Sequence, residues 1–483
     1  MNWILVFEVA YVIVLILVCL RIIYDTTAIT KTLAYLLVAI FIPFGGMLFY
    51  FSFGINYRKR RVYSKKLIED DGLRKALEAR LISRTEQNLK THEGVVGDAE
   101  SLVRLLLNDS WSPLTVGNRV RLLTNGEEKF PEVISALRSA RHHIHLEYYI
   151  YEDDHIGNRI KEILIAKARE GVKVRLIYDD FGSRSIRGKL VADLKAAGVE
   201  AHPFNVVRLL FLANRLNYRN HRKIIIVDGQ TGFVGGINIS DRYDNTSDGE
   251  RDFYWRDAHM RIDGEGIHYL QYLFFCDWNF CSGEKMEPDA CYFAGQPQPD
   301  ANEVVQIAAS GPDSPTSTIM LSLLNAIHLA KKEILLTTPY FIPGESIINA
   351  LRVAALGGVS VRILAPGISD SRFVNAAAWS FYGDLLHAGV EIFLYQKGFI
   401  HAKTMVVDGY ISVVGTANMD YRSFDLNFEV NAIVYGEAIG RQLRDTFNMD
   451  LMFAEEITYQ NWEKRPLYKQ LSERIARLLA PLL

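Results

Sequence analysis

Two apolar runs open the chain. Residues Trp3 to Ile23 are interrupted only by Glu8 and Arg21, and Leu33 to Phe53 carry no charge at all. Each is about 20 residues long, the length that crosses the hydrocarbon core of a bilayer, so the pattern predicts two transmembrane helices. No basic stretch precedes the first run and no small-residue cleavage site follows it, which separates it from a secretory signal. Arg58, Lys59, Arg60, Arg61, Lys65 and Lys66 crowd beyond the second run, against Arg21 and Lys31 between the two. The positive-inside bias then puts the large C-terminal part in the cytoplasm of a multi-pass protein. From about residue 62 the chain is polar as far as Asp109. Beyond that point short alternating segments with strand character exchange with segments of helical period, the pattern of an α/β fold.

That alternation occurs twice. Val133 through Arg141 followed by Ile144-His145-Leu146-Glu147-Tyr148-Tyr149 matches Leu323 through Lys331 followed by Ile334-Leu335-Leu336-Thr337-Thr338-Pro339, each a helix running into a strand. Gly171-Val172-Lys173-Val174-Arg175-Leu176 matches Gly358-Val359-Ser360-Val361-Arg362-Ile363, and Ala197-Gly198-Val199-Glu200 matches Ala388-Gly389-Val390-Glu391. The offset between halves drifts from 190 to 187 to 191, as duplicated domains do when their loops diverge. The expected organisation is 1–62 for the membrane helices and basic juncture, 63–110 for an amphipathic linker, 111–295 for the first repeat and 296–483 for the second. The last segment closes with a helix whose Leu467, Leu471, Ile475, Leu478, Leu479 and Leu482 share a face opposite Lys469, Glu473 and Arg477. Such a face is expected to dock on the domain or to lie on the membrane, docking being the preferred reading.

The repeat carries its chemistry in two copies. The first half has His221-Arg222-Lys223, Asp228 and Gly235-Gly236-Ile237-Asn238; the second has His401-Ala402-Lys403, Asp408 and Gly415-Thr416-Ala417-Asn418, with identical internal spacing. At ordinary residue frequencies a single His-x-Lys-x4-Asp match is expected by chance in roughly 3% of chains this long. Two, each extended by Gly and Asn at fixed offsets, are not chance. On a strand, His and Lys two residues apart point to the same side. The apolar residues that follow continue a buried strand to an Asp-Gly turn, and a returning strand presents the Asn. Each half thus offers an imidazole, an ammonium and a carboxamide. That set suits a phosphate, with Lys223, Lys403, Asn238 and Asn418 binding its oxygens and a histidine acting on phosphorus or on a proton. The candidate catalytic set is His221, Lys223, Asp228, His401, Lys403 and Asp408, of which the two aspartates are expected to hold the turn. Thr416 keeps a hydroxyl where Gly236 has none, so phosphate contacts are expected to differ between halves. His143 and His145 share a strand face, but no carboxylate or cysteine joins them at ligand spacing, and no metal site is assigned.

These paired motifs resemble those of the phospholipase D superfamily from about residue 111 to the C-terminus. The resemblance implies two α/β/α sandwich domains related by a pseudo-two-fold, a phosphohistidine intermediate and no metal or other cofactor. By the same analogy His221 is the nucleophile and His401 the general acid and base. Glu429 resembles the family's histidine-orienting carboxylate, and Asp257 is its expected counterpart, with Asp248 and Asp252 as rivals. Within the superfamily, the order of parts is similar to that of bacterial cardiolipin synthases, supported by Asn118 through Gly126, Glu147-Tyr148-Tyr149-Ile150 and Asp180-Phe181-Gly182-Ser183. This implies transfer of a phosphatidyl group between two phosphatidylglycerols at the bacterial plasma membrane, with release of glycerol. Hydrolysis by a phospholipase D is the alternative, and a non-catalytic membrane scaffold the next. A formal net charge of −2 argues against a nucleic-acid partner. The apolar stretch from Val206 to Arg215, beside His221, is expected to meet lipid, with a core helix of the domain as the alternative.

Overall fold

A computed structural model describes residues 3–26, 29–42, 44–54, 71–206, 218–246, 253–286 and 289–480. Fifteen strands form one continuous sheet whose two halves repeat the same order outward from the middle. In the first half the order is Thr115–Thr124, Ala258–Asp263, Thr231–Gly235, Lys223–Val227, His143–Tyr148, Lys173–Asp179 and Glu200–Phe204. In the second it is Glu303–Ser310, Glu429–Tyr435, Ile411–Gly415, Thr404–Val407, Glu333–Thr337, Ser360–Pro366 and Glu391–Tyr395, with Ala454–Ile457 added at the edge. The innermost strands pair antiparallel, Thr115 opposite Val305, and join the halves. The duplication expected from the motifs is therefore a duplication of topology.

Side-chain alternation explains how the layers form. Ile225 and Val227 face outward with Leu146 and Phe233, under the helices Asn125–Ser139 and His155–Arg169. Ile224 and Ile226 face inward and share one core with Val406, Val414, Val430 and Ala432 of the other half. Helices His268–Ser282 and Glu437–Leu451 contribute Phe274, Trp278, Leu443 and Phe447 to that same core. The shared apolar interior locks the halves together, so the ends of the two motif strands are held at a fixed separation.

Three expectations change. Trp3–Asp25 is a 23-residue helix, long and apolar enough to cross a membrane by length and composition, and is the one such helix among the described residues. The second run is not one helix. It forms Ile29–Phe41, breaks, and resumes as Gly45–Phe49 and Tyr50–Gly54. The sequence at the break, Ile42-Pro43-Phe44-Gly45-Gly46, supplies the reason: proline disfavours helix before it, and two glycines permit close approach. The stretch expected as a linker ends in a helix, Glu100–Ser110, whose Leu102, Val103 and Leu106 enter the core of the second half beside Ile319 and Leu323. Finally, the C-terminal helix Leu467–Leu479 packs on Arg372–His387 by the face opposite to the expected one. Its buried residues are Glu473 and Ala476, while Leu467, Leu471, Ile475 and Leu478 stay exposed. Glu473 tolerates burial because both carboxylate oxygens accept from Arg465, at 2.6 and 2.9 Å. Of the stretch from Val206 to Arg215, all but Val206 lies outside the described residues, as do the basic residues from Arg58 to Lys66.

Candidate active site

The segments carrying the two histidines cross over to the opposite half. Asn220 bridges to Phe428, where the backbone N–H of His221 donates to the Phe428 carbonyl at 2.9 Å. Symmetrically, Gly398–Ile400 pairs with Tyr254–Arg256, and the N–H of His401 donates to the Arg256 carbonyl at 2.7 Å. Each histidine is thereby fixed one residue away from a carboxylate of the other half. His221 Nδ1 lies 3.1 Å from Glu429 Oε1, and His401 Nδ1 lies 2.7 Å from Asp257 Oδ2. Both carboxylates are fully buried, whereas the imidazoles keep 17% and 15% of their surface exposed. A ring whose Nδ1–H donates to a buried carboxylate presents Nε2 with a free lone pair. The two carboxylates named in advance thus lie against the two histidines, and the pairing is crossed. Asp248 and Asp252 lie outside the described residues.

The lysines follow from strand alternation. Lys223 is 2% exposed and Lys403 6%, and each ammonium donates to the carbonyl of its own motif histidine, that of Lys223 at 2.6 Å. Lys223 also lies over the Tyr149 ring, which packs 4.0 Å from the His221 ring. Three rings, Tyr243, Trp255 and Phe399, surround His401 at 6.0, 5.6 and 5.8 Å. Burial dominates the electrostatics. It pushes His221 down to about 4 against the opposing pull of Glu429, and His401 down to about 4 with help from Lys403 and against Asp257. It also brings Lys223 down to about 8 and Lys403 to about 7, with Glu429 and Asp257 resisting the fall. Glu429 itself would be raised by burial, but His221, Lys223 and the Thr416 hydroxyl hold it below the ordinary carboxylate range. Burial thus disfavours charge on all four basic groups, and an anion brought among them would favour it.

The remaining motif residues divide. Asn418 is 5% exposed and its Oδ1 has no hydrogen-bond partner among the described residues, while Asn238 is engaged, Nδ2 with the Tyr243 hydroxyl at 2.6 Å and Oδ1 with the Ile150 N–H at 3.1 Å. Asp228 and Asp408 do not join the site. They end the strands Lys223–Val227 and Thr404–Val407 at positive φ, 53° and 50°, at the opposite end from the histidines. Asp228 accepts from the N–H groups of Arg141, His142 and His143 at 2.8, 2.7 and 3.0 Å; Asp408 accepts from Lys331, Lys332 and Glu333 at 2.8, 2.8 and 2.9 Å. Both aspartates, expected in the catalytic set, hold turns instead. The Thr416 hydroxyl is also not turned toward a phosphate, since it donates to Glu429 Oε2 at 2.5 Å. At the equivalent Gly236 a Cβ would stand 2.1 Å from Asp257 Oδ1, so glycine makes room there for the shorter carboxylate. His143 and His145 are occupied with Gln271, and the His145 ring stacks on Phe274 at 4.3 Å. Asn427, 3.2 Å from His221 Nδ1 and 3.2 Å from Glu429 Oε1, was not foreseen, although it stands two residues before Glu429.

A duplicated α/β fold whose halves each lend a histidine and a lysine to one site, and a carboxylate to the other's histidine, defines a protein of the phospholipase D-like class. The family model described as "Cardiolipin synthase, PLD-like domain" matches residues 133–258 and 323–451, and the one described as "Phospholipase_D-nuclease N-terminal" matches 10–54. The chain is 40% identical over 450 residues to the major cardiolipin synthase ClsA of Bacillus subtilis, covering 93% of each. It is 42% identical over 458 residues to the cardiolipin synthase of Geobacillus kaustophilus, covering 94% of this chain and 89% of that one. Among solved structures, phosphatidylserine synthase of Haemophilus influenzae superposes with a TM-score of 0.59 at 14% identity, over 80% of this chain and all of that one, a likeness of fold. The chain belongs to the phospholipase D-like cardiolipin synthase family.

Proposed function

We propose that this protein is a membrane phosphatidyltransferase that makes cardiolipin from two molecules of phosphatidylglycerol. The observation that carries the chemistry is the crossed orientation of two imidazoles by two buried carboxylates, with both lysines beside them. The names of the relatives supply the substrate class. A lipid phosphate enters between Lys223, Lys403 and Asn418, with Asn238 supporting the loop behind. His221 Nε2 attacks phosphorus and forms a phosphatidyl-histidine. The P–O bond to the headgroup breaks, and glycerol leaves with a proton from His401. A second phosphatidylglycerol then gives its hydroxyl proton to His401 while its oxygen attacks phosphorus, which releases His221. In-line displacement needs the nucleophile and the acid on opposite sides of phosphorus, and two copies of one motif facing each other supply that. At neutral pH both free imidazoles are neutral. The arriving phosphate anion supplies the negative charge that lets His401 hold its proton. The reaction exchanges one phosphodiester for another, so excess glycerol is expected to drive it backward.

The divisions 1–62, 63–110, 111–295 and 296–483, and a catalytic part on the cytoplasmic face of the plasma membrane, complete the proposal. It is tested with purified protein in phosphatidylglycerol micelles and mass spectrometry of the products. Cardiolipin and glycerol in equal amounts support it. Phosphatidic acid with glycerol would make the protein a hydrolase, and no turnover would return it to the scaffold.

A further inference from the structure

The break in the second apolar run does more than shorten a helix. Ile29–Phe41 has 13 residues, about 20 Å of helix, against about 30 Å of bilayer core. The chain then doubles back on itself. A Cβ on Gly46 would stand 2.0 Å from the Val38 carbonyl oxygen, and one on Gly54 would stand 3.2 Å from the Tyr35 ring. Tyr50 packs 5.5 Å from Tyr35, and its hydroxyl reaches Asp25 at 3.3 Å and the Arg21 carbonyl at 3.4 Å. The turn itself sits deep, with Phe44 packed 5.0 Å from Tyr11. Tyr11 is 14 residues from Asp25, about 21 Å along the helix, which matches the length of Ile29–Phe41. Hence 29–54 descends beside the first helix and turns back toward the level at which it began, Gly54 coming beside Tyr35. Val18, Ile22, Tyr35, Ala39, Met47 and Tyr50 form the small core between the three segments.

Two further observations point the same way. Backbone within lipid must bond internally, and the described residues of the turn do so at three points: Ile42 N–H donates to Val38, Gly46 to Ile42 and Leu48 to Phe44, at 3.1, 2.7 and 2.9 Å. Moreover, Lys31 at the start of the hairpin pairs with Asp425 and lies 5.7 Å over the Tyr421 ring. Both partners belong to the helix Tyr421–Asp425, which leads directly into Asn427 and Glu429 beside His221. A loop on the far side of a bilayer could not make that contact.

We propose that the anchor crosses the membrane once, through Trp3–Asp25, that 29–54 is a re-entrant hairpin, and that the hairpin's base docks through Lys31 on Asp425, holding the catalytic site against the lipid surface from which its substrates come. This rests on the membrane location given above. It also satisfies the charge bias more fully than two spans do, because Arg21, Lys31 and the cluster from Arg58 to Lys66 then share one side.

Cysteine labelling separates the topologies. Trp3→Cys and Ile29→Cys are made singly in a chain whose Cys281 and Cys291 are replaced by serine, spheroplasts are treated with a membrane-impermeant maleimide before and after lysis, and the label is assigned by peptide mass. The expected result is Trp3→Cys labelled in intact spheroplasts and Ile29→Cys labelled only after lysis. Labelling of Ile29→Cys in intact spheroplasts would restore two spans and overturn the proposal. Failure of Ile29→Cys to label even after lysis would put the hairpin base in lipid, away from Asp425, and overturn the docking. Labelling of Trp3→Cys only after lysis, or not at all, would remove the single crossing, and recovery of the protein in the soluble fraction would remove the membrane location itself. For the docking contact, Lys31→Glu is expected to lower turnover several-fold on phosphatidylglycerol vesicles, with Asp425→Lys in the same chain restoring it. No rescue, in a double variant that still melts as the wild type does, would overturn the contact.

Discussion

The crossed pairing makes a prediction that an arrangement within each half would not. Asp257 sits in the first half and holds His401 of the second through one hydrogen bond of 2.7 Å. Asp257→Asn keeps the shape of the side chain, its acceptance from the Ala258 N–H at 2.7 Å and its close fit against Gly236, so the fold should survive. What disappears is the charge that fixes the imidazole and stabilises its protonated form. A hydrogen bond to a charged group contributes about 1.5–3 kcal/mol, equivalent to a loss of about 10- to 150-fold in rate. Presentation of the wrong tautomer would deepen the loss toward about 10⁴-fold. The rate is read as initial cardiolipin formation in phosphatidylglycerol micelles, with thermal melting to verify folding. The cross-half assignment is read separately, from the rate at which diethyl pyrocarbonate modifies each histidine, followed by peptide mass spectrometry. His401 should change its reactivity in Asp257→Asn and His221 should not. A rate loss below about threefold would refute the reasoning, as would a change confined to His221.

Other expectations follow from the same contacts. Gly236→Ala drives a methyl against the Asp257 carboxylate and should cost at least as much activity as Asp257→Asn, whereas Thr416→Ala removes one donor from Glu429 and should cost about tenfold, both measured as initial rates. The kcat/KM profile should fall below about pH 4, as His221 takes up a proton and loses its nucleophilic lone pair, and should decline above it as free His401, also near 4, loses the proton it gives to the leaving alcohol. It should steepen on the alkaline side between about 7 and 8, as Lys403 and then Lys223 lose the charge that binds phosphate. Since burial lowers both lysines, that alkaline limb comes about three pH units earlier than a solvated lysine would give. Asp408→Ala leaves three backbone N–H groups without their acceptor and puts alanine at a φ of 50°, a destabilisation of about 2–4 kcal/mol seen as a lower melting temperature. Turnover per folded molecule should stay within a few-fold, and a catalytic aspartate would behave in the opposite way.

The motif strands were legible because strand geometry is local. His and Lys two residues apart must share a side, and an apolar run must continue to the Asp-Gly turn, so the positions of His221, Lys223, His401 and Lys403 follow from spacing. Which carboxylate lies against which histidine was not, since the bridges from Asn220 to Phe428 and from Gly398–Ile400 to Tyr254–Arg256 join residues far apart in sequence. Hydropathy measured the length of the second apolar run and missed its reversal, because Pro43, Gly45 and Gly46 barely lower the mean. Helical period likewise identified the leucine face of the last helix and could not say which face is covered. A buried Glu473 is acceptable only because Arg465 arrives from the preceding turn, a local pairing that outweighs the apolar pattern.

The account stands on two facing motifs acting as one site with a histidine-bound intermediate. The most direct measurement is to mix the His401→Ala variant with phosphatidylglycerol, quench within the first turnover, and analyse the peptide containing residues 219–223 by mass spectrometry. A phosphatidyl adduct on His221, absent from the His221→Ala protein, is the predicted result. An adduct on His401 in the His221→Ala protein with none on His221 would reverse the roles, and adducts on neither while cardiolipin still forms in the wild type would contradict the covalent route.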